Sequence, residues 1–97
     1  MQFSIVAFDY TDSDAINRRL SCRGAHAEGL RQLWAQGKFI SGAAMLDDSG
    51  KMIGSNAFFE FDSREALDEW LQTEAYMTGQ VWEKVEVREV RVFNPQL

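Results

Sequence analysis

The sequence predicts an α+β fold in which two helices pack on one face of a four-stranded antiparallel sheet. Three observations lead there. Segments of β-type and helical periodicity follow one another in the order β-α-β-β-α-β, the split βαβ of ferredoxin-like folds. A strong turn signal, Asp47-Asp48-Ser49-Gly50, joins the middle pair of strands into a hairpin. The length, 97 residues, makes a single domain and leaves no room for a second core.

The first strand is read over Gln2 to Tyr10, rich in Phe, Ile and Val. Phe3, Ile5 and Ala7 share one face, and Val6 and Phe8 lie on the other. Asp12, Ser13 and Asp14 then offer caps for a helix. From Ala15 to Gln36 the pattern is helical, with Ala27, Leu30, Leu33 and Trp34 on one stripe. Gly24 is expected to divide this stretch into a short helix and a longer one. Gly37 is placed to end it. Phe39 to Leu46 is the second strand and Ser55 to Phe61 the third. Asp62 and Glu65 have capping-box spacing, with Ser63 as an alternative cap. Ala66, Leu67, Trp70 and Leu71 form the apolar stripe of the second helix. Thr73 to Gln80 reads as a loop or a short extra helix, and Trp82 to Phe93 as the last strand. In that strand Val85 and Val87 fall on one face but Val90 and Val92 on the other, which predicts a bulge or a change of environment partway along.

With the helices on one face, the other carries Val6, Phe8 and further apolar residues. An apolar face of that size marks an interface. Two such sheets facing each other give a homodimer, a dimeric α/β barrel with a cavity between or beside the sheets.

The bulk composition narrows the function. A hydrophobic fraction of 45% and a charged fraction of 26% are ordinary for a globular protein. The net charge of -5 argues against nucleic acid and against anionic membrane surfaces, both of which call for clustered Lys and Arg. The N-terminal segment has no basic start, and Asp9 and Asp12 cut its apolar run, so it reads as neither a signal peptide nor a membrane span. One cysteine, Cys22, fits a reducing, cytoplasmic setting. One His and one Cys make no zinc site, and no glycine-rich phosphate loop is present, so no cofactor is expected.

The chemistry concentrates in two places. The stretch from Arg18 to His26 holds three arginines, Ser21, Cys22 and the only histidine. On a continuous helix Arg19, Arg23 and His26 line one face, an anion-binding patch beside a base suited to neutral pH. The plainer reading makes His26 a partly buried helical residue bonded to backbone, with solvated arginines. Cys22 reads as a small packed hydrophobe before it reads as a nucleophile. The second place is Glu74 and Tyr76, a carboxylate and a phenol at a loop. There Glu74 can orient His26 or serve as an acid/base itself.

In the order and spacing of these pieces the chain resembles the YCII-related (YciI-like) family over nearly its whole length. Arg19-Leu20-Ser21-Cys22-Arg23-Gly24-Ala25-His26 resembles that family's Arg-x-x-x-Arg-Pro-x-His stretch. Ser41-Gly42-Ala43, Asp48-Ser49-Gly50, Gly54-Ser55 and Glu60-Phe61-Asp62-Ser63 follow in order, and Glu74-Ala75-Tyr76 resembles the family's Asp-Pro-Tyr segment. The resemblance implies a ferredoxin-like dimer with a site built on a histidine and a carboxylate, here His26 and Glu74. Relatives include a dehydrochlorinase of chlorinated hydroxyquinols. Glu replaces Asp at 74, Ala75 replaces proline, and Gly24 stands where proline is common. The first two departures bear on how the carboxylate is aimed, and the third on the approach to His26.

The reading is therefore a small-molecule enzyme that needs no cofactor. His26 and Glu74 would move a proton in an elimination or isomerisation. Arg19, Ser21 and Arg23 would hold a small anionic or phenolic ligand, and Tyr76 would close the pocket. The alternatives are a dimeric module that binds a metabolite or partner without turnover, and a purely structural homodimer.

Overall fold

A computed structural model describes residues 1–96. The elements are β1 (Gln2–Asp9), α1 (Ala15–Ala35), β2 (Phe39–Leu46), β3 (Met52–Glu60), α2 (Arg64–Thr73), α3 (Ala75–Thr78) and β4 (Trp82–Val90). The four strands form one sheet in the order β2-β3-β1-β4, with every neighbouring pair antiparallel. This is the ferredoxin-like arrangement, with the helices on one face.

Alternation along β1 sets the layers. Phe3, Ile5 and Ala7 are buried beneath the helices, where they meet Phe59, Leu67, Leu71 and Val81. Phe3, Ile5, Phe59, Leu67 and Val81 lose essentially all contact with water, each worth roughly 1.5–3 kcal/mol for the larger apolar side chains. On the opposite face Val6, Met45 and Phe58 are half-buried and Phe8 is exposed, among Asn56, Lys84, Glu86 and Arg88.

Several boundaries differ from the sequence expectation, each for a local reason. Gly24 does not divide α1, which runs unbroken for 21 residues. A glycine costs a helix about 1 kcal/mol, and the packing of Arg19, Cys22, Leu30 and Leu33 along one side outweighs it. Trp34 is not a core residue. It is 64% exposed and leans edge-on against Phe39. Asp14 occupies the N-cap position of α1 but makes no capping bond, because its carboxylate is taken by the Asn17 amide. Ser63, not Asp62, caps α2, its hydroxyl accepting from the Ala66 amide at 3.1 Å.

The hairpin is tighter than expected. The Asp47 carboxylate accepts from the amides of Ser49 and Lys51, which lets β3 begin at Met52. The irregularity of β4 lies at its start, where Asp9 pairs with Trp82 and Phe8 with Lys84, leaving Glu83 as the extra residue. From Lys84 to Val90 the strand is regular. Val85 and Val87 face the core opposite Ala7 and Ile5, Val90 faces the open side, and Val92 lies beyond the strand with its amide on the Gln2 side chain. No helix among the described residues is long and apolar enough to cross a membrane.

A candidate acid-base site between the first helix and the sheet

A cavity of about 240 Å3 opens between α1 and the β2–β3 side of the sheet. Its walls are mostly apolar, from Ile5, Ala27, Leu30, Phe39 and Phe59, and its polar side chains are few: Arg19, Arg23, His26, Ser55, Tyr76 and the indole of Trp82. Apolar walls with a few placed polar groups are the make-up of a small-molecule site. An apolar cavity of roughly 150 Å3 accepts benzene, so this one has room for a substituted single ring.

His26 sits in the middle of α1 with its side chain mostly buried. Its Nδ1 is hydrogen-bonded to Oε1 of Glu74, a carboxylate 48 residues away and itself only 5% exposed. Glu74 is aimed by its own backbone environment. It is the N-cap of α3, and its Oε2 accepts from the Tyr76 amide at 2.6 Å. That cap supplies the aim which Ala75 lacks for want of a proline ring. A carboxylate on Nδ1 fixes the imidazole with its proton there, leaving Nε2 as the lone pair. Nε2 has no hydrogen-bond partner among the described residues.

Aromatic rings hold the imidazole in place. The Tyr76 ring stacks on it at 3.8 Å, nearly parallel, and Trp82 meets it edge-on at 5.9 Å. Burial raises the Tyr76 phenol above its ordinary value of 10.0, and the Arg19 guanidinium beside it pulls the other way. The phenol is therefore neutral at physiological pH.

Arg19 is not a free anion receptor. It is 3% exposed and paired with buried Asp9, Nε donating to Oδ2 at 2.8 Å. Its Nη2 donates to the Gly54 carbonyl at 2.5 Å and to Ser55 Oγ at 2.7 Å, and its guanidinium lies 4.8 Å from the centre of the Tyr76 ring. Arg23 is exposed and borders the cavity. Ser21 lies apart from this group. It is exposed, its hydroxyl donates back to the Asn17 carbonyl of its own helix at 2.9 Å, and it does not line the cavity. Two residues after Arg19, it points to another side of α1. Cys22 packs against α3 beside Gly79 rather than toward the cavity.

Asp9, Ser55 and Trp82 were not picked out from the sequence. Asp9 ends β1 on the core face, a position where an acid needs a buried partner, and that was the available signal. Ser55 and Trp82 are an ordinary strand serine and aromatic until the fold brings them together. Among the described residues no three His, Cys, Asp or Glu side chains gather as metal ligands do.

Fold and site together define a ferredoxin-like domain with a histidine–carboxylate pair beside an open-mouthed cavity. The chain belongs to the YCII-related domain family, whose model matches residues 1–91. It is 33% identical over 94 residues to Protein YciI of Escherichia coli O6:H1, covering 91% of this chain and 94% of that one, and the figures for Protein YciI of Shigella flexneri are the same. Among solved structures it resembles the 5-chloro-2-hydroxyhydroquinone dehydrochlorinase of Burkholderia phenoliruptrix AC1100, solved in complex with 2,5-dihydroxybenzoquinone. That match has a TM-score of 0.80 at 21% identity and covers 94% of each chain. It also resembles a dimeric ferredoxin-like protein of unknown function from Jannaschia sp. CCS1, with a TM-score of 0.54 at 10% identity, covering 94% of this chain and 98% of that one.

Proposed function

We propose that the protein is a small-molecule acid-base enzyme in which His26 takes and returns a proton through Nε2. Glu74 holds the ring from behind and stabilises the imidazolium that forms. The observation that carries this reading is the fixed imidazole: one nitrogen is tied to a buried carboxylate while the ring borders an apolar cavity of ring-sized volume. The reaction class is proton abstraction followed by elimination or isomerisation, which a proton shuttle can perform alone. The ligand class is a small oxygenated ring, phenolic or anionic. Arg23 at the cavity border supplies positive charge, while the charge of Arg19 is largely offset by Asp9. Ser21 has no part in it.

The similarity to a dehydrochlorinase solved with a dihydroxybenzoquinone fits the same class. The apolar residues of the open sheet face, Phe8 and Phe58 above all, support a homodimer built on that face. The single free cysteine supports a cytoplasmic setting.

Chloride release from 5-chloro-2-hydroxyhydroquinone and ring deuteration of unchlorinated hydroxyquinol in D2O test the reading together. Either reaction should run above the buffer rate and fall by about 10²–10⁴-fold in His26→Gln. Wild type no faster than His26→Gln on both, with a ring nevertheless bound, would favour a binding module without turnover.

A further inference from the structure

We propose that Arg18 is a positioning residue for the His26–Glu74 pair, latching the strained turn after α3 so that this short helix keeps Glu74 and Tyr76 against the imidazole. The inference rests on the acid-base reading of His26 for its meaning, but its test reads the latch separately.

It follows from how α1 grips the segment that begins at Glu74. Arg18, Cys22 and His26 recur every four residues and lie along one side of α1. His26 bonds the Glu74 carboxylate and stacks on Tyr76 at 3.8 Å. Cys22 packs where a methyl group at Gly79 would lie. Arg18 Nε donates to the Gln80 carbonyl at 2.9 Å. Between these contacts α3 has only four residues, too few to hold a helical shape alone.

The end of α3 is where it needs help. The Gln80 amide donates to the Met77 carbonyl at 3.2 Å and the Val81 amide to the Tyr76 carbonyl at 2.9 Å, a helix-ending turn that normally places glycine at its left-handed position. Here that position is Gln80, with φ of 56°, the one non-glycine of positive φ among the described residues. A side chain disfavours that conformation, which persists where the surroundings hold it. Arg18 does so from the β1–α1 connection. Its two terminal nitrogens donate to the two Asp12 carboxylate oxygens at 2.8 Å each, and its guanidinium lies 5.5 Å from the centre of the Tyr10 ring. The Tyr10 amide in turn donates to the Val81 carbonyl at 2.9 Å. The fork is thereby fixed with Nε aimed at Gln80. Freeing the Gln80 carbonyl lets the turn relax, and the backbone that aims Glu74 relaxes with it. Arg18 does not line the cavity, so it acts through α3 alone.

Two protons rest on Glu74 and report the latch: the Tyr76 amide on Oε2 and the His26 Nδ1–H on Oε1. Their exchange with water, followed by NMR, is the test. Arg18→Gln should speed both by about threefold to tenfold. Gln80→Gly, which adopts positive φ without a steric penalty, should bring Arg18→Gln back to within about twofold of the wild type. Ring deuteration of hydroxyquinol should fall and recover in step. Wild-type rates at both protons in Arg18→Gln would overturn the proposal, even if amides of the central strand exchange faster through a general loss of stability. Failure of Gln80→Gly to rescue would overturn it as well. Should Arg18→Gln fail to fold, Asp12→Asn, which weakens the hold on the fork, should speed the same two protons, and no change there would overturn it. A wild type without turnover would sink the enzyme reading and leave the Tyr76 amide to decide the latch.

Discussion

Asp9→Ala is expected to be among the most damaging single substitutions in this protein. Asp9 and Arg19 are 7% and 3% exposed, and among the described residues the carboxylate is the only anion bonded to that guanidinium. Removing it leaves a buried cation held by one carbonyl and one hydroxyl. Breaking a buried pair by deleting one partner costs about 3–5 kcal/mol. A domain of this size has roughly 5–15 kcal/mol in all, so about a fifth or more of the stability is at stake. At roughly 4–8 °C per kcal/mol, the melting temperature should fall by about 12 °C at the least. Urea unfolding followed by tryptophan fluorescence gives the free energy directly, and an unchanged denaturant slope would confirm that the same surface unfolds. The double variant Asp9→Leu/Arg19→Met removes both charges and should recover most of the loss, since apolar replacement of a buried pair is often neutral. A loss below about 1 kcal/mol in Asp9→Ala would refute the reasoning, because it would mean that water entering from the cavity solvates Arg19.

Three further outcomes follow from the geometry. The folded-state value of Tyr76 is raised, so its contribution to stability is full below pH 10.0 and is lost as pH climbs from there toward the folded value. The urea midpoint of Tyr76→Phe relative to wild type should therefore shift in favour of the variant between about pH 8 and about pH 11. The Asp12 carboxyl is lowered to about 2, chiefly by its hydrogen bonds from Arg18, so the stability it adds is present above 3.8 and is lost as pH falls toward 2. Asp12→Asn should flatten that part of the acid limb in an unfolding titration. A methyl group at Gly79 would overlap Cys22 Sγ and lie 2.8 Å from the Ala75 carbonyl oxygen. Gly79→Ala should cost about 1–3 kcal/mol in urea unfolding, and adding Cys22→Ala should recover only part, because the carbonyl stays where it is.

The sheet order and the helix-covered face were legible because strand alternation is a local signal. Phe3, Ile5 and Ala7 declare their face without reference to anything else. Trp34 misled because it sits at the edge of the helical stripe, where i+4 spacing admits a residue that the sheet does not reach. The Glu83 bulge was displaced in the reading because valines were visible in the sequence and the hydrogen-bond register was not. In the site, the helical spacing of Arg19, Arg23 and His26 correctly gathered them along one face of α1. The same geometry argued against Ser21, which earned its place only by lying nearby in sequence. The partners of Arg19 stand 10, 35 and 36 residues away, so its role as a locked structural cation could not be read from its neighbours. Ser55 entered only within the Gly54-Ser55 piece of the resemblance, since its bonds to Arg19 and Trp82 exist only once the fold brings the three together.

The central claim is that the imidazole of His26 keeps its proton on Nδ1 and turns a bare Nε2 to the cavity. Nitrogen-15 chemical shifts of the deprotonated ring report this directly, and the assignment is unambiguous because the chain has a single histidine. The wild type is expected to show the Nδ1–H form, held by Glu74. A ring found with its proton on Nε2 would leave no base facing the ligand and would contradict it.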